Sequence, residues 1–209
     1  MKRKIRLDMN IITKSIRDDL EIQLNKSIED ISKSELLKIK NITINRIGFD
    51  GKIQEIAYNE ILYFENLEEL SIFSCMVDNL LMNNILKLKK LRILKVYDSD
   101  FVDFINDTFS NLNLEDLIIN NCIGLRNVTL SNLKHLDLKN INIDFAIKNV
   151  ETLNISNTKP NVNTLNLINV KKIIISEESY NKGLSFNNIN SEIVVINDRM
   201  EVVKEIKNV

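Results

Sequence analysis

A six-residue pattern, aliphatic-x-x-aliphatic-x-aliphatic, recurs along this chain and constrains its fold more than any other feature. Copies begin at Ile39 (Ile-Lys-Asn-Ile-Thr-Ile), Leu67 (Leu-Glu-Glu-Leu-Ser-Ile), Leu91 (Leu-Arg-Ile-Leu-Lys-Val) and Leu114 (Leu-Glu-Asp-Leu-Ile-Ile). They continue at Leu133 (Leu-Lys-His-Leu-Asp-Leu), Val150 (Val-Glu-Thr-Leu-Asn-Ile) and Val170 (Val-Lys-Lys-Ile-Ile-Ile), and a degenerate eighth starts at Asn190 (Asn-Ser-Glu-Ile-Val-Val). Successive starts lie 28, 24, 23, 19, 17, 20 and 20 residues apart. Side chains alternate along a strand, so motif positions four and six share one face and positions three, five and seven share the other. A unit this short cannot bury its own apolar face. The copies must therefore stack into a solenoid with one continuous core.

Composition supports strands over helical repeats. Alanine occurs only at Ala57 and Ala146, while Ile, Leu and Val dominate the aliphatic positions. Asparagine is abundant, which an A+T-rich genome partly explains, and it receives limited structural weight here. A chain of 209 residues fits one domain, 1–209. Its expected parts are a helical N-terminal cap over about 8–38, the repeats over 39–198 and a closing segment over 199–209.

Repeat length sets what can cross behind the sheet. Residues 77–88 carry apolar side chains at helical spacing, as do Phe101, Phe104, Ile105, Phe109 and Leu112, so short helices are expected in both places. The later copies leave no room for a helix after the strand and should cross in extended or 3-10 form. At position nine, where the chain leaves the strand, stand Ile47, Cys75, Ser99, Cys122, Ile141, Thr158, Glu178 and Asp198. Cys75 and Cys122 read as buried turn residues two strands apart, about 10 Å at the usual strand spacing and too far for a disulfide. Asn121, Asn140, Asn157 and Asn197 at position eight read as caps of strand ends. The four glycines, Gly48, Gly51, Gly124 and Gly183, read as turn residues that accept positive φ.

The ends differ from the repeats, as the ends of an open solenoid must. Ile11, Ile12, Ile16 and Leu20 have helical spacing, and residues 28–36 read as a turn entering a second short helix. Residues 192–206 read as two strands, or a strand and a short helix. Glu201, Lys204, Glu205 and Lys207 should keep that outer edge solvated.

Several function classes are disfavoured. Twenty-eight basic and 29 acidic residues leave a net charge of −1, without the basic excess of a nucleic-acid binder. The cluster Lys2, Arg3, Lys4 and Arg6 reads as a solubilising tail. No apolar stretch has the length of a transmembrane helix, and no signal peptide follows Met1, so a cytoplasmic protein is expected, or a secreted or cell-surface one if a leader has been removed. His135 is the only histidine, which excludes His-pair metal sites, and no glycine pattern suits a phosphate. A Cys122–His135 dyad is disfavoured because Cys122 should be buried while His135 faces outward. These observations point away from an enzyme, a cofactor and a metal.

The Leu-x-x-Leu-x-Leu strand over residues 39–198 resembles the leucine-rich repeat, whose units run about 20–29 residues and favour Asn or Cys at position nine. The order of an Ile16-Arg17-Asp18-Asp19-Leu20 helix, an Ile31-Ser32-Lys33-Ser34-Glu35-Leu36 segment and a first strand is similar to the cap of bacterial internalin-type proteins. Variable repeat length departs from the near-constant repeats of that group. The resemblance implies an α/β leucine-rich-repeat right-handed solenoid, with a parallel sheet on the concave face and short helices, 3-10 turns or extended segments on the convex face. It also implies a monomeric, non-enzymatic interaction module that binds a protein or peptide on the concave face. Two alternatives are an intracellular immunity or inhibitor protein and a structural segment of a larger surface adhesin. Outward positions place Phe73 beside Tyr97, with Ile93 and Ile118 close by and Glu69, Lys95 and Asp98 at the rim. Asn120, His135, Asp137 and Lys139 continue that face. Aromatic anchors in a polar surround are the composition of interface hot spots.

Overall fold

A computed structural model describes residues 14–46, 58–102, 109–126, 128–142, 146–158, 166–182 and 191–207. The basic N-terminal cluster, Ile11, Ile12, Ile47, Gly48, Gly51, Phe104, Ile105 and Gly183 lie outside the described residues. Two helices, α1 (Lys14–Leu24) and α2 (Lys33–Leu36), precede the strands. Then follow β1 (Asn41–Asn45), β2 (Glu69–Phe73), β3 (Met76–Val77), α3 (Asn79–Ile85), β4 (Ile93–Tyr97), β5 (Asp100–Phe101) and β6 (Asp116–Asn120). The chain continues through β7 (Thr129–Lys139), β8 (Ala146–Asn154), β9 (Asn166–Ser176), α4 (Glu177–Asn181), β10 (Glu192–Ile196) and β11 (Val202–Lys207).

All eight motif copies become strands of one sheet, in the order β1-β2-β4-β6-β7-β8-β9-β10, with β11 added at the end. Pairing is parallel throughout except for β10 with β11, which is antiparallel. Register follows the motif without a slip. Position three aligns Asn41, Glu69, Ile93, Asp116, His135, Thr152, Lys172 and Glu192 across the eight strands. A one-residue slip would turn every core side chain into solvent, so burial enforces this alignment. Positions four and six are buried in every copy, from Ile42 and Ile44 to Ile193 and Val195. These side chains, with the position-one residues from Ile39 to Val170, form one core.

The cap closes the first edge through hydrogen bonds as well as packing. Helix α1 lies on β1 and buries Ile16 and Leu20. Its Ser15, Asp19 and Gln23, spaced four apart on one helical face, reach the open edge of β1. The Thr43 N–H donates to Asp19 Oδ2 at 2.9 Å, the Asn45 N–H donates to Ser15 Oγ at 2.8 Å, and Gln23 Nε2 donates to the Asn41 carbonyl at 3.0 Å. An edge strand presents unpaired backbone groups, and here side chains take the place of a neighbouring strand. Helix α2 starts at a capping box, in which the Glu35 carboxylate accepts from the Ser32 N–H at 2.9 Å. Lys26 and Ser32 together hold the Glu35 carboxyl down to about 2.

The far end uses two strands, β10 and β11, with Lys204, Glu205 and Lys207 exposed on the outermost one and Glu201 exposed just before it. Lys204 lies over the Tyr180 ring at 4.5 Å. A bulge near Val195 and Ile196 interrupts their register.

Behind the sheet the structure corrects three expectations. Phe101 is not helical: it lies in β5, which pairs with β3 in a separate two-stranded sheet, and Phe109–Asn111 forms a 3-10 turn, while residues 103–108 lie outside the described residues. Among the described residues, the back of the longer repeats therefore holds one α-helix, α3, whose N-cap Asp78 accepts from the Leu81 N–H at 2.8 Å. The seventh repeat does contain a helix, α4, because Ser176 ends β9 and caps the next turn by accepting from the Ser179 N–H. Position-eight residues Ser74, Asp98, Asn121 and Asn140 have φ of 54°, 48°, 53° and 48°. Asn121 and Asn140 there supply a left-handed backbone, whereas Asn197 does cap the end of β10, its Oδ1 accepting from the Arg199 N–H at 3.0 Å and the Glu201 N–H at 2.9 Å.

The compact repeats solve the crossing with long strands. β7, β8 and β9 run 11, 9 and 11 residues, each bent at an asparagine of positive φ: Asn132 at 60°, Asn149 at 53° and Asn169 at 54°. These three residues sit one place before the motif start in consecutive copies. Their amides form a ladder, Asn149 Nδ2 to Asn132 Oδ1 at 3.1 Å and Asn169 Nδ2 to Asn149 Oδ1 at 2.9 Å. Asparagine tolerates the left-handed region, and its side chain bonds the next coil.

Candidate protein-binding face

The outward side chains of β2, β4, β6 and β7 form the candidate face, and register brings all eleven residues named from the sequence onto it or its margin. Phe73 aligns with Tyr97, Tyr97 with Asn120 and Asn120 with Lys139. The Phe73 and Tyr97 rings stack with centroids 4.6 Å apart and planes 11° from parallel. Both are half-buried, as are Ile93 and Ile118 beside them. Strand spacing alone brings two position-seven side chains to this separation, so the stack follows from the repeat. Rings locked in this way present a contact surface that loses little conformational freedom on binding.

Charged groups surround the aromatic pair in fixed arrangements. Lys95 Nζ bonds Glu69 Oε1 at 2.6 Å, and both side chains are about 30% exposed. His135 Nδ1 lies 2.7 Å from Asp116 Oδ1. Lys139 Nζ lies 3.1 Å from Asp137 Oδ2. Asp98, just past the strand, accepts from the Asn121 side-chain amide. These charges are partly satisfied within the protein, so they shape specificity more than raw affinity.

One organised feature escaped the sequence reading. Motif position two alternates in sign over seven copies: Lys40, Glu68, Arg92, Glu115, Lys134, Glu151, Lys171. Neighbours pair as Lys40–Glu68 at 2.8 Å, Lys134–Glu115 at 2.7 Å and Lys171–Glu151 at 3.3 Å, and Arg92 also contacts Glu115. The Lys40 hydrogen bond holds the Glu68 carboxyl below its ordinary range. The signal was available as a column in the motif alignment, because the charges become neighbours only once the copies are stacked.

The two thiols occupy structural positions. Cys75 and Cys122 are free and buried, with Sγ donating to the Phe73 carbonyl at 3.1 Å and the Asn120 carbonyl at 3.2 Å. Burial pushes both thiols up to about 11, opposite to the activation of a nucleophile. Ser99 fills the same position between them, accepting from the Cys75 N–H at 3.1 Å and donating to the Tyr97 carbonyl at 2.7 Å. Among the described residues, no group of three His, Cys, Asp or Glu side chains could hold a metal ion. No helix among them is long and apolar enough to cross a membrane.

No family model and no curated protein matches the sequence. Among solved structures the chain is similar to an internalin (inlF) from Listeria monocytogenes, with 15% identity over 94% of this chain and 74% of that one, at a TM-score of 0.46. The motif, its register and the single core stand independently of that likeness: the fold is an α/β solenoid of the leucine-rich-repeat type.

Proposed function

We propose that the protein is a non-enzymatic interaction module that grips a protein or peptide on the outward face of its sheet, centred on Phe73 and Tyr97. The stacked aromatic pair carries this reading. Two half-exposed aromatic rings are held by strand register and bordered by the Lys95–Glu69 ion pair. That combination matches the rigid anchor and polar rim of an interface hot spot.

The test uses a partner captured from an extract of the source organism, then purified and titrated by calorimetry. Phe73→Ala/Tyr97→Ala should weaken binding by about thirtyfold or more, corresponding to at least one hot-spot residue. Leu80→Ala, which alters the helix behind the sheet at a side chain 62% exposed, should leave affinity unchanged. Equal affinity of the aromatic double variant and the wild type would remove this face as the binding site.

A further inference from the structure

The sheet ends differently at its two edges. At the first, α1 buries Ile16 and Leu20, and its side chains bond the free backbone groups of β1. At the other, β11 pairs with β10 on one side, and among the described residues no strand pairs with its outer edge. The side chains of β11 are exposed apart from the half-buried Ile206, which aligns with Ile193 and packs against the end of the core. Val202 is 56% exposed and Val203 47%. An open strand edge, with its row of unpaired N–H and C=O groups, is a template for another strand.

We propose that the occupant of this edge is β11 of a second copy, paired antiparallel about a two-fold axis perpendicular to the sheet. This departs from the monomer that the family resemblance implies. Such an axis sets each residue opposite one on the same face, so every register is centred on a residue that meets its own copy. Centring on Lys204, Glu205 or Lys207 puts identical charges directly opposite, which is unfavourable. Centring on Val202 or Val203 falls at the bulge beside Ile196 and runs into the Asn197–Met200 turn, where Met200 has a φ of 63°. Among registers centred on β11, the one at Ile206 remains. It sets Ile206 against Ile206, joining the two cores, and places Glu205 opposite Lys207 twice by symmetry. The charges of β11 reject the neighbouring registers and select this one. A net charge of −1 per chain adds little repulsion between copies. The axis keeps the faces of the sheet, so the two outward faces lie side by side.

The experiment is sedimentation equilibrium of the full chain from about 10 μM to about 1 mM, the range in which a small interface associates. The average mass should rise with concentration from 24.2 kDa toward twice that value. Glu205→Lys and Lys207→Glu each set like charges opposite one another twice, so each variant should self-associate about tenfold more weakly. An equimolar mixture of the two variants restores both ion pairs across the interface. It should associate to within about threefold of the wild type, a rescue that no effect inside a single chain produces. A mass that stays at 24.2 kDa throughout would overturn the proposal. So would single variants that associate as well as the wild type, or a mixture that associates no better than either variant alone.

Discussion

The edge caps of β1 can be removed without touching the core. In Ser15→Ala/Asp19→Ala, the Thr43 and Asn45 N–H groups lose acceptors at 2.9 and 2.8 Å. One of these bonds goes to a carboxylate, worth about 1.5–3 kcal/mol, and the other to a hydroxyl, worth about 1 kcal/mol. Both sites are half-buried, so water recovers part of the loss, and a net cost of about 2–3 kcal/mol is expected. With a urea slope near the upper end of about 1–3 kcal/mol/M, the unfolding midpoint should fall by about 1 M. Native-state hydrogen exchange supplies the residue-level readout. The Thr43 and Asn45 amides should exchange much faster than in the wild type, while Ile72 in the next strand should keep its protection relative to global unfolding. The control is Ile22→Ala, at a side chain 73% exposed on the same helix, which should leave both amides protected. If the double variant loses stability but retains slow exchange at Thr43 and Asn45, α1 stabilises the first strand by packing alone and the capping argument is wrong.

Four further outcomes follow from the geometry. Gly124→Ala should destabilise by about 3 kcal/mol or more in thermal unfolding, because φ is 80° and an added Cβ would overlap the Phe101 carbonyl oxygen. Asn149→Ala should cost about 1–3 kcal/mol in urea unfolding, because it strains a left-handed corner and breaks both rungs of the amide ladder; Asn149→Gly should cost less. Glu115→Lys would put three cations in a row with Arg92 and Lys134, lowering stability by about 1–2 kcal/mol, with the deficit shrinking in high salt. The raised thiol values of Cys75 and Cys122 stabilise the fold below the unfolded-state value of about 8.5; this contribution should be lost as pH rises from there through about 11, as urea titrations across that range can test.

The strand motif made the sheet legible because period-two burial and a repeated apolar set leave one register open to each copy. Phe73, Tyr97 and Asn120 could therefore be aligned from residue counts alone, and the structure puts them in neighbouring strands. The crossings behind the sheet were harder to read. Apolar spacing around Phe101 and Phe109 fits a helix locally, yet Asp100–Phe101 gains backbone pairing with Met76–Val77, which is distant in sequence. Asn132, Asn149 and Asn169 do not stand out in a chain rich in asparagine throughout. Their constant offset before the motif start was the available signal, and positive φ is the physical reason for it.

The proposed binding location is the outward face of the sheet at the Phe73–Tyr97 pair. A photo-crosslinking residue placed at Ser71, two residues before Phe73 on the same face of β2, tests it most directly, with the same residue at Leu80 behind the sheet as the comparison. The account predicts a covalent adduct with the purified partner from position 71 and none from position 80. An adduct from position 80 with none from position 71 would contradict it.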